Sequence, residues 1–321
     1  MSAASSGPVP VAPPAGLPRL LAGAPLADLS AHIQQWGPLP PASGRLITEV
    51  VSAGVTGRGG AGFPLGKKLA AVAEACHATR RRAVVVANAT EGEPASAKDK
   101  TLLRVAPHLV LDGAVAAAGA TGADEVVVCV DRTSGEASQA VWRAISERAK
   151  ARVDPVSIRV ASTPDRYLSG QETALVHWLN GGDAKPTTIP PRPARRGVAG
   201  RPTLVNNIET LADLALVARF GAAWFRQVGT DAEPGSTLVT LQGAVANPGV
   251  YEVAVGARLH DVLNAAGGAT GKVQAVLVGG YYGAWVPPAA LSAPLSNAGL
   301  GSYGAGLGAG VVAVLGQRAC G

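Results

Sequence analysis

The sequence has few aromatic residues and no long apolar run, and each shortage excludes a class of protein. Phe, Trp and Tyr make up 4% of the 321 residues, too few stacking side chains for a nucleic-acid-binding surface despite the net charge of +6. No apolar run approaches the roughly 20 residues that a membrane-spanning helix needs. The first residues lack the basic region and apolar core of a secretory signal. We therefore expect a soluble, cytoplasmic protein that binds no nucleic acid and does not insert directly into a membrane.

Cysteine is also scarce. Cys76, Cys129 and Cys320 stand far apart and form no CxxC or Cys/His spacing of the kind that holds a metal. We predict that two of them pack in the core as reduced thiols. The sequence therefore predicts no metal site, and no iron–sulfur cluster is expected within this chain.

Strand and helix patterns alternate through the first two thirds of the chain. Short continuous apolar runs at 82–88, 125–131 and 156–161 are typical of buried strands. Helical patterns lie at 44–53, 65–76, 105–122, 138–149 and 205–220. This alternation predicts an α/β layered domain. A smaller module follows, with strands at 236–243, 250–255 and 275–278 and a helix at 259–266.

The strongest local feature is a glycine-rich loop that reads GRGGAGFP over 57–64. It matches G-x-G-x-x-G formally, but the preceding segment is helical, so the context is not that of a Rossmann site. Consecutive glycines let backbone N–H groups approach an anion, and the next helix presents its N-terminus. Arg58, Lys67 and Lys68 add positive charge. The loop predicts a phosphate site, with a plain tight turn as the alternative.

Three further motifs carry polar side chains suited to a nucleotide-like ligand. NATEGEP at 88–94 directly follows a predicted strand, where α/β sheets usually build ligand sites. YLSGQETAL at 167–175 and PTLVNNIET at 202–210 supply carboxylates and amides that can both donate to and accept from a heterocycle. The ordinary alternatives are a solvated acidic loop, a helix start, and Asn206 as a helix N-cap.

Four motifs occur in the same order as in the FMN-binding subunit of NADH dehydrogenase and complex I, which this sequence therefore resembles. They are GRGGAGFPxGxK, NAxEGEP followed by KD, YxxGxETAL and PTxVNNxET. The module at 236–291, with GAVANPGVYEV, is similar to the ubiquitin-like β-grasp domain of that family. The resemblance implies an α/β fold with a layered FMN-binding domain and a small β-grasp domain of the soluble-ligand-binding type. The expected divisions are a disordered Pro/Ala-rich lead at 1–24, the FMN domain at 25–232, the β-grasp domain at 233–295, and the start of a missing C-terminal iron–sulfur region at 296–321.

The resemblance also implies the site residues. Those that would hold the phosphate, ribityl chain and ring edge of FMN are Gly57, Arg58, Gly59, Lys68, Asn88, Glu91, Tyr167, Gly170, Asn206, Asn207 and Thr210. The implied catalytic residues are Glu93, near the nicotinamide, and Glu172, close to the flavin. The implied substrate-binding residues are Phe63, Glu93 and Arg192.

Several positions depart from the family pattern. Thr90 and Gln171 stand where the family usually has Asp and Glu, and Leu69-Ala70-Ala71 replaces a segment that contains an aromatic residue. Ile189 and Arg192 replace a lysine and a stacking Phe that contact the dinucleotide. These departures concern NADH more than FMN.

The resemblance implies FMN-dependent electron transfer. Hydride from NADH or another reductant would reach the flavin, and single electrons would pass to an iron–sulfur protein such as a ferredoxin or a thioredoxin-like ferredoxin subunit. The chain would act alone or as part of a membrane-associated complex. Two alternatives stay open. One is an FMN relay that has lost NADH binding and exchanges electrons with ferredoxin, with Arg192, Arg195 and Arg196 docking an acidic partner. The other is a non-catalytic scaffold subunit.

Overall fold

Two sheets organise the protein, whose computed structural model describes residues 16–317. The first sheet contains β1 (Ala83–Ala89), β2 (Ala123–Asp131), β3 (Ser157–Thr163) and β4 (Thr203–Asn207). These strands are all parallel and lie in the order β3-β2-β1-β4. The apolar runs of β1 and β2 are buried on both faces, which explains why they show no polar alternation.

The helices that cover the first sheet lie mainly on one face. They are α1 (Leu29–Trp36), α2 (Arg45–Ala53), α3 (Leu65–Thr79), α4 (Lys98–Val105), α5 (Pro107–Thr121), α6 (Gly135–Ala151) and α8 (Ile208–Phe225), whereas α7 (Glu172–Leu179) covers the other face. Val85 and Val126 point into the large helical layer, while Val84 and Val127 pack with Leu175 of α7. The period-2 alternation of strand side chains thus builds two cores from one run of valines.

Helix α5 is the centre of the helical layer and is buried along nearly its whole length. Its Gly113 packs against the backbone of Leu211 in α8, with no room for a side chain. Within residues 16–317, no single helix is long and apolar enough to cross a membrane, although α4 and α5 together, bent by 97°, would pass on length and composition.

The second sheet contains β5 (Ser236–Gly243), β6 (Gly249–Ala254), β7 (Val273–Val278), β8 (Ala284–Val286) and β9 (Val311–Gly316), in the order β6-β5-β9-β7-β8. Helix α9 (Leu259–Ala265) packs on it around a separate apolar core, and the short α10 (Asn297–Leu300) follows. Strands β5 and β9 are parallel neighbours in its middle. The mixed sheet and single packed helix agree with the expected β-grasp type.

The structure differs from the sequence-based segments in four places. The expected helix at 205–220 begins three residues later, because the chain first completes β4 beside β1. The expected helix at 105–122 divides at Ala106, since Pro107 lacks the N–H that would continue α4. The elements that were not expected are helices α1, α4 and α10 and strands β4, β8 and β9. Strand β9 belongs to the second sheet, so this sheet extends past 295, the boundary expected for the β-grasp domain.

The end of the expected disordered lead is packed in the structure, whereas residues 1–15 and 318–321, including Cys320, lie outside the described residues. Leu20 is 1% exposed and belongs to the first core. The backbone N–H groups of Arg19, Leu20 and Leu21 all donate to the carboxylate of Glu252 on β6. The Arg19 guanidinium donates to two main-chain carbonyls at the end of α8. This N-terminal turn therefore joins the two domains.

Candidate functional site

The carboxyl ends of β1 and β4 bring two of the sequence motifs side by side. Asn88 at the end of β1 stands opposite Asn207 at the end of β4 in the parallel register. Because parallel strands end at the same edge of a sheet, NATEGEP and VNN form one polar surface. The Asn88 Nδ2 donates to the carbonyl of Gly170 at 2.7 Å, which adds the third motif.

The glycine-rich loop is closed on itself and lies against this surface. The N–H of Gly57 donates to the carbonyl of Phe63 at 2.9 Å, so it is used within the loop. The N–H of Arg58 donates to Oγ1 of Thr210 at 2.8 Å. A Cβ at Gly59 would lie only 3.3 Å from Cβ of Asn207, so the missing side chain allows the close approach.

The Arg58 side chain is bound by protein groups and also lines the cleft. Its side chain is buried, with Nε 3.5 Å from Oδ2 of Asp213, and its guanidinium donates to the carbonyl of Pro234 at 3.2 Å. Burial raises the pKa of Asp213 to about 7, against the opposing effect of Arg58. Arg58 therefore anchors the loop to α8 and to the start of the second domain.

Glu91 is buried and stabilises the start of α4. Its carboxylate accepts from Oγ of Ser96 at 2.6 Å and from the backbone N–H groups of Asp99 and Lys100 at 3.0 and 3.3 Å. A carboxylate at a helix N-terminus satisfies N–H groups that lack partners in the helix. Glu91 thus positions the residues that follow it on α4.

A buried charged group that the sequence did not predict lies beneath the polar surface. The Lys98 ammonium is 2.7 Å from Oδ1 of Asp99 and 2.8 Å from Oε2 of Glu209. Asn207 Nδ2 donates to the other oxygen of Asp99 at 2.6 Å. The two carboxylates raise the pKa of Lys98 against the effect of burial, whereas burial raises that of Asp99. Lys98 is therefore a fixed cation below the cleft.

Lys68 and Glu172 form a second, more exposed pair near the same edge. Lys68 Nζ donates to the carbonyl of Val205 at 2.8 Å and lies 3.4 Å from Oε2 of Glu172. Glu172 is the first residue of α7, whose N-cap is Gln171. The departure from the family pattern at Gln171 therefore has a structural role, because its side chain accepts from the N–H groups of Thr173 and Ala174.

Glu93 connects the polar surface to the second domain. Its Oε1 accepts from the N–H of Ala95 at 3.3 Å, and its Oε2 accepts from the N–H of Tyr281 at 2.8 Å. Tyr281 and Tyr282 lie in the turn between β7 and β8, and both rings contact the ring of Tyr167. The Glu93 carboxylate is thus held by two main-chain N–H groups from different domains.

These elements enclose a cleft of about 270 Å³, which we call the sheet-edge cleft. The predicted residues that line it are Arg58, Gly59, Asn88, Glu91, Glu93, Tyr167, Gly170 and Asn207. The predicted residues outside this lining are Gly57, Phe63, Lys68, Glu172, Arg192, Asn206 and Thr210. Gly57 lies in a smaller adjoining pocket, and Phe63 is 43% exposed. A larger cavity of about 810 Å³, beside α1 and Asp112, contains none of the predicted residues.

Eight lining residues were not among the predicted site residues, namely Thr90, Gly92, Ser96, Lys98, Asp99, Leu168, Gln171 and Ala309. The KD pair at 98–99 was part of the motif but received no role, because the polar sequence around it does not indicate burial. Ala309 carries no signal in the sequence, since it reaches the cleft only through the fold of the second domain.

The residues of the cleft fit a phosphate-bearing heterocycle such as FMN. Asn206, next to the cleft residue Asn207, is buried, and its Nδ2 has no hydrogen-bond partner within residues 16–317, but the residue does not line the cleft. Gly59, Gly92 and Gly170 lack the Cβ that would crowd Asn207, Tyr167 and Thr90, so the walls of the cleft can pack closely against one another. The donors and acceptors are amides and carboxylates, the groups that a flavin edge and a ribityl chain can use.

Together, these features define a two-domain α/β protein with a ligand cleft at the carboxyl edge of a parallel sheet. The model of the Nuo51 FMN-binding domain matches residues 50–216, and that of the SLBB domain matches residues 238–280. An F subunit of the NADH-quinone oxidoreductase of Rhizobium meliloti is 32% identical over 86% of this chain and 68% of its own length. The F subunit of the NADH-quinone oxidoreductase of Mycobacterium bovis is 32% identical over 86% of this chain and 64% of its own length.

Solved structures agree with these relatives. Two crystal structures of NAD+-reducing [NiFe]-hydrogenase, H2-reduced and air-oxidised, match with TM-scores of 0.74 and 0.77 and identities of 35% and 34%, over 85% of this chain and 47% of theirs. The chain belongs to the FMN-binding family of NADH-quinone oxidoreductase F subunits. Membership confirms the resemblance, the fold class, the oxidoreductase class and FMN as the cofactor, although the chain spans only about two thirds or less of the length of these relatives.

Gly170→Ala is expected to disturb the cleft, because a Cβ at this position would lie 2.7 Å from the carbonyl oxygen of Thr90. The Thr90 oxygen belongs to the main chain and cannot rotate away. The main chains of the motifs at 88–94 and 167–175 would therefore have to move apart. We expect a loss of about 1–3 kcal/mol in the free energy of unfolding. Urea unfolding measures it, with Gly135→Ala as the control, since no atom lies within 4 Å of a Cβ there. Equal losses in the two variants would contradict the close packing of the two motifs.

Proposed function

We propose that this chain binds FMN in the sheet-edge cleft, accepts hydride from NADH, and passes electrons singly to an iron–sulfur partner protein. The observation that carries this proposal is the convergence of three separate motifs, at 88–94, 167–175 and 202–210, on one sheet edge beside the glycine loop. When bound, FMN supplies the chemistry that connects a two-electron donor to one-electron carriers. The chain supplies binding, orientation and electrostatics.

The residues of the polar surface divide these tasks. Asn88 fixes Gly170, and Asn207 fixes Asp99, so the cleft walls are held by side chains that are themselves hydrogen-bonded. Lys98 lies at the floor, where its ammonium binds Asp99 and Glu209 and so holds both carboxylates in place. This arrangement is preorganised and needs no side-chain movement to receive the ligand.

Glu93 and Glu172 take the roles closest to the substrate in this proposal. Two N–H groups hold the Glu93 carboxylate at the cleft wall, where it can orient the nicotinamide amide. Lys68 pairs with Glu172, so this carboxylate has a fixed position at the edge of α7. Positioning of this kind contributes to hydride transfer by holding the reacting atoms close together.

A second candidate function is an FMN relay that exchanges electrons with ferredoxin instead of NADH. It is favoured by the loop at 186–202, where Ile189 is 52% exposed and Arg192, Arg195 and Arg196 are exposed. An exposed arginine cluster suits an acidic protein partner by electrostatic steering. The same Arg192 is also positioned on a surface that could meet the extra phosphate of NADPH.

The experiment that separates these functions is anaerobic reduction. We expect the purified chain, reconstituted with FMN, to lose its flavin absorbance rapidly on addition of NADH, and more slowly or not at all with NADPH. Dithionite is the control, because it reduces accessible flavin whatever the natural donor is. Reduction by dithionite and ferredoxin but not by NADH would favour the second candidate. Failure to bind FMN at all would leave the scaffold function.

A further inference from the structure

Three tyrosine rings meet at the mouth of the sheet-edge cleft, and two of them come from the second domain. The ring centroid of Tyr167 lies 5.4 Å from that of Tyr281 and 5.9 Å from that of Tyr282. The rings of Tyr281 and Tyr282 meet edge to face at 5.5 Å. We call these three residues the tyrosine cluster. In a chain with 4% aromatic residues, such a concentration beside the cleft is the feature to explain.

The ring faces of the cluster are open to a ligand. Tyr281 is 76% exposed and Tyr282 is 82% exposed, whereas Tyr167, which also lines the cleft, is 38% exposed. Large apolar rings left exposed next to a cleft are typical of a binding surface rather than of a core. Tyr281 and Tyr282 bury little apolar area when the protein folds, so core packing does not explain why these positions are aromatic.

Glu93 fixes the position of the cluster relative to the cleft. Its carboxylate accepts the N–H of Tyr281 at 2.8 Å, and Gly280, in a left-handed conformation with φ of 88°, packs directly against it. Gly280 has no side chain, so the turn can approach the carboxylate this closely. The tyrosine pair is therefore tied to the wall that, in the proposed function, faces the nicotinamide.

The geometry points to a stacking role. Resting on the proposed function, we propose that a ring of the nicotinamide dinucleotide stacks on the face of Tyr281 or Tyr282 and meets the edge of the other ring before hydride transfer. The occupant is a small planar ring because the cluster is continuous with the cleft through Tyr167. The second domain thereby contributes to substrate binding.

The tyrosine cluster can supply an aromatic contact that the loop at 186–202 lacks. Arg192 occupies the position where the resemblance implies a stacking Phe, and it is exposed. A ring in the β7–β8 turn can provide an aromatic stacking surface beside the cleft. Tyrosine is well suited to it, since its ring stacks and its hydroxyl tolerates water.

The test uses the full chain loaded with FMN and the double variant Tyr281→Ala/Tyr282→Ala. Calorimetric titration with NAD+ is expected to show a Kd at least about 10-fold higher in the double variant, from the usual cost of losing a stacked aromatic. The KM for NADH is expected to rise similarly while kcat and the Kd for FMN stay unchanged. Tyr281→Phe/Tyr282→Phe is expected to restore binding, because the rings remain. Trp285→Ala, an exposed aromatic of the same hairpin, is the matched control.

The outcomes separate this inference from the proposed function. If NADH reduces the flavin and the double alanine variant binds NAD+ as the unaltered chain does, the stacking role is overturned and the proposed function stands. If NAD+ binding depends on the two rings but NADH does not reduce the flavin, the stacking role is supported and the proposed function fails. If the unaltered chain does not bind NAD+, both are overturned.

Discussion

Lys98→Met is expected to lower the free energy of unfolding by about 3–5 kcal/mol, since it leaves two buried carboxylates without their cation. Lys98 is 3% exposed, and its ammonium lies within 2.8 Å of both Asp99 and Glu209. Methionine has a similar length, so the change removes the charge and three hydrogen-bond donors with little change in volume. The cost is mainly the desolvated negative charge that remains.

The same substitution is expected to loosen the junction between the two domains. Glu209 also accepts from Oγ1 of Thr237 at 3.0 Å and from the N–H of Leu238 at 2.8 Å, both on β5. If Glu209 takes up a proton in the variant, its carboxylate becomes a weaker acceptor for these groups. We therefore expect β5 to lose protection against amide hydrogen exchange, whereas β2 keeps it.

Urea unfolding, followed by circular dichroism with and without saturating FMN, measures the effect. Lys100→Met is the matched control, because it lies on the same helix, is half-buried and forms no ion pair among residues 16–317. The control is expected to change stability by less than about 0.5 kcal/mol. The triple variant Lys98→Met/Asp99→Asn/Glu209→Gln is expected to regain part of the loss, since no buried charge is left unpaired. If Lys98→Met costs no more than the control, the buried ion pairs do not stabilise the fold.

The parts of the fold that follow from local pattern could be predicted from the sequence. The runs RAVVVAN and EVVVCVD become β1 and β2, because a continuous apolar run of that length is buried on both faces of a parallel sheet. The place of NATEGEP at the carboxyl edge also follows from the pattern, because it directly follows a predicted strand, but its meeting with VNN does not, because β4 was not predicted. Asn88 and Asn207 meet there as neighbours in register.

The parts that depend on distant partners could not be predicted. Glu209, a partner of Lys98, lies 111 positions along the chain, so the sequence gives only a lysine beside an aspartate. Arg58 looks like a phosphate ligand in its loop, but Asp213 and Pro234 on other elements turn its side chain inward. The strand at 203–207 is hidden because it is short and ends in two polar residues that resemble a helix start.

Asp112→Asn is the second substitution with a large expected effect, again a loss of about 3–5 kcal/mol. Asp112 is buried on α5 and accepts three partners from three other helices: His32 Nε2 at 2.6 Å, Arg148 at 2.7 Å and Arg219 at 2.5 Å. The side chains of Arg148 and Arg219 are at most 3% exposed, so each would keep a buried charge with one fewer carboxylate. The variant is therefore expected to destabilise the whole helical layer.

The difference in the free energy of unfolding between the unaltered protein and the Asp112→Asn variant is expected to depend on pH. Hydrogen bonding from His32 and the charges of Arg148 and Arg219 lower the pKa of Asp112 despite the opposing effect of burial. A lowered folded-state pKa gives stability that is fully present above the unfolded value of about 3.9 and is lost as the pH falls below it. The cost of Asp112→Asn should thus be constant from pH 7 down to about pH 5 and shrink below about pH 4.

His108, on the same helix, makes its own contribution to the acid range. Burial, with His32 and Arg148 nearby, lowers its pKa to about 4, so the native state resists its protonation and stability falls as the pH drops below about 6.5. This loss of stability occurs in the unaltered protein and in the Asp112→Asn variant. The difference between their free energies of unfolding therefore reports mainly on Asp112. Urea midpoints between pH 3.5 and 7, with exposed Asp231→Asn as the control, measure it. A difference that stays constant below pH 4 would show that the Asp112 carboxylate is not held ionised by its three partners.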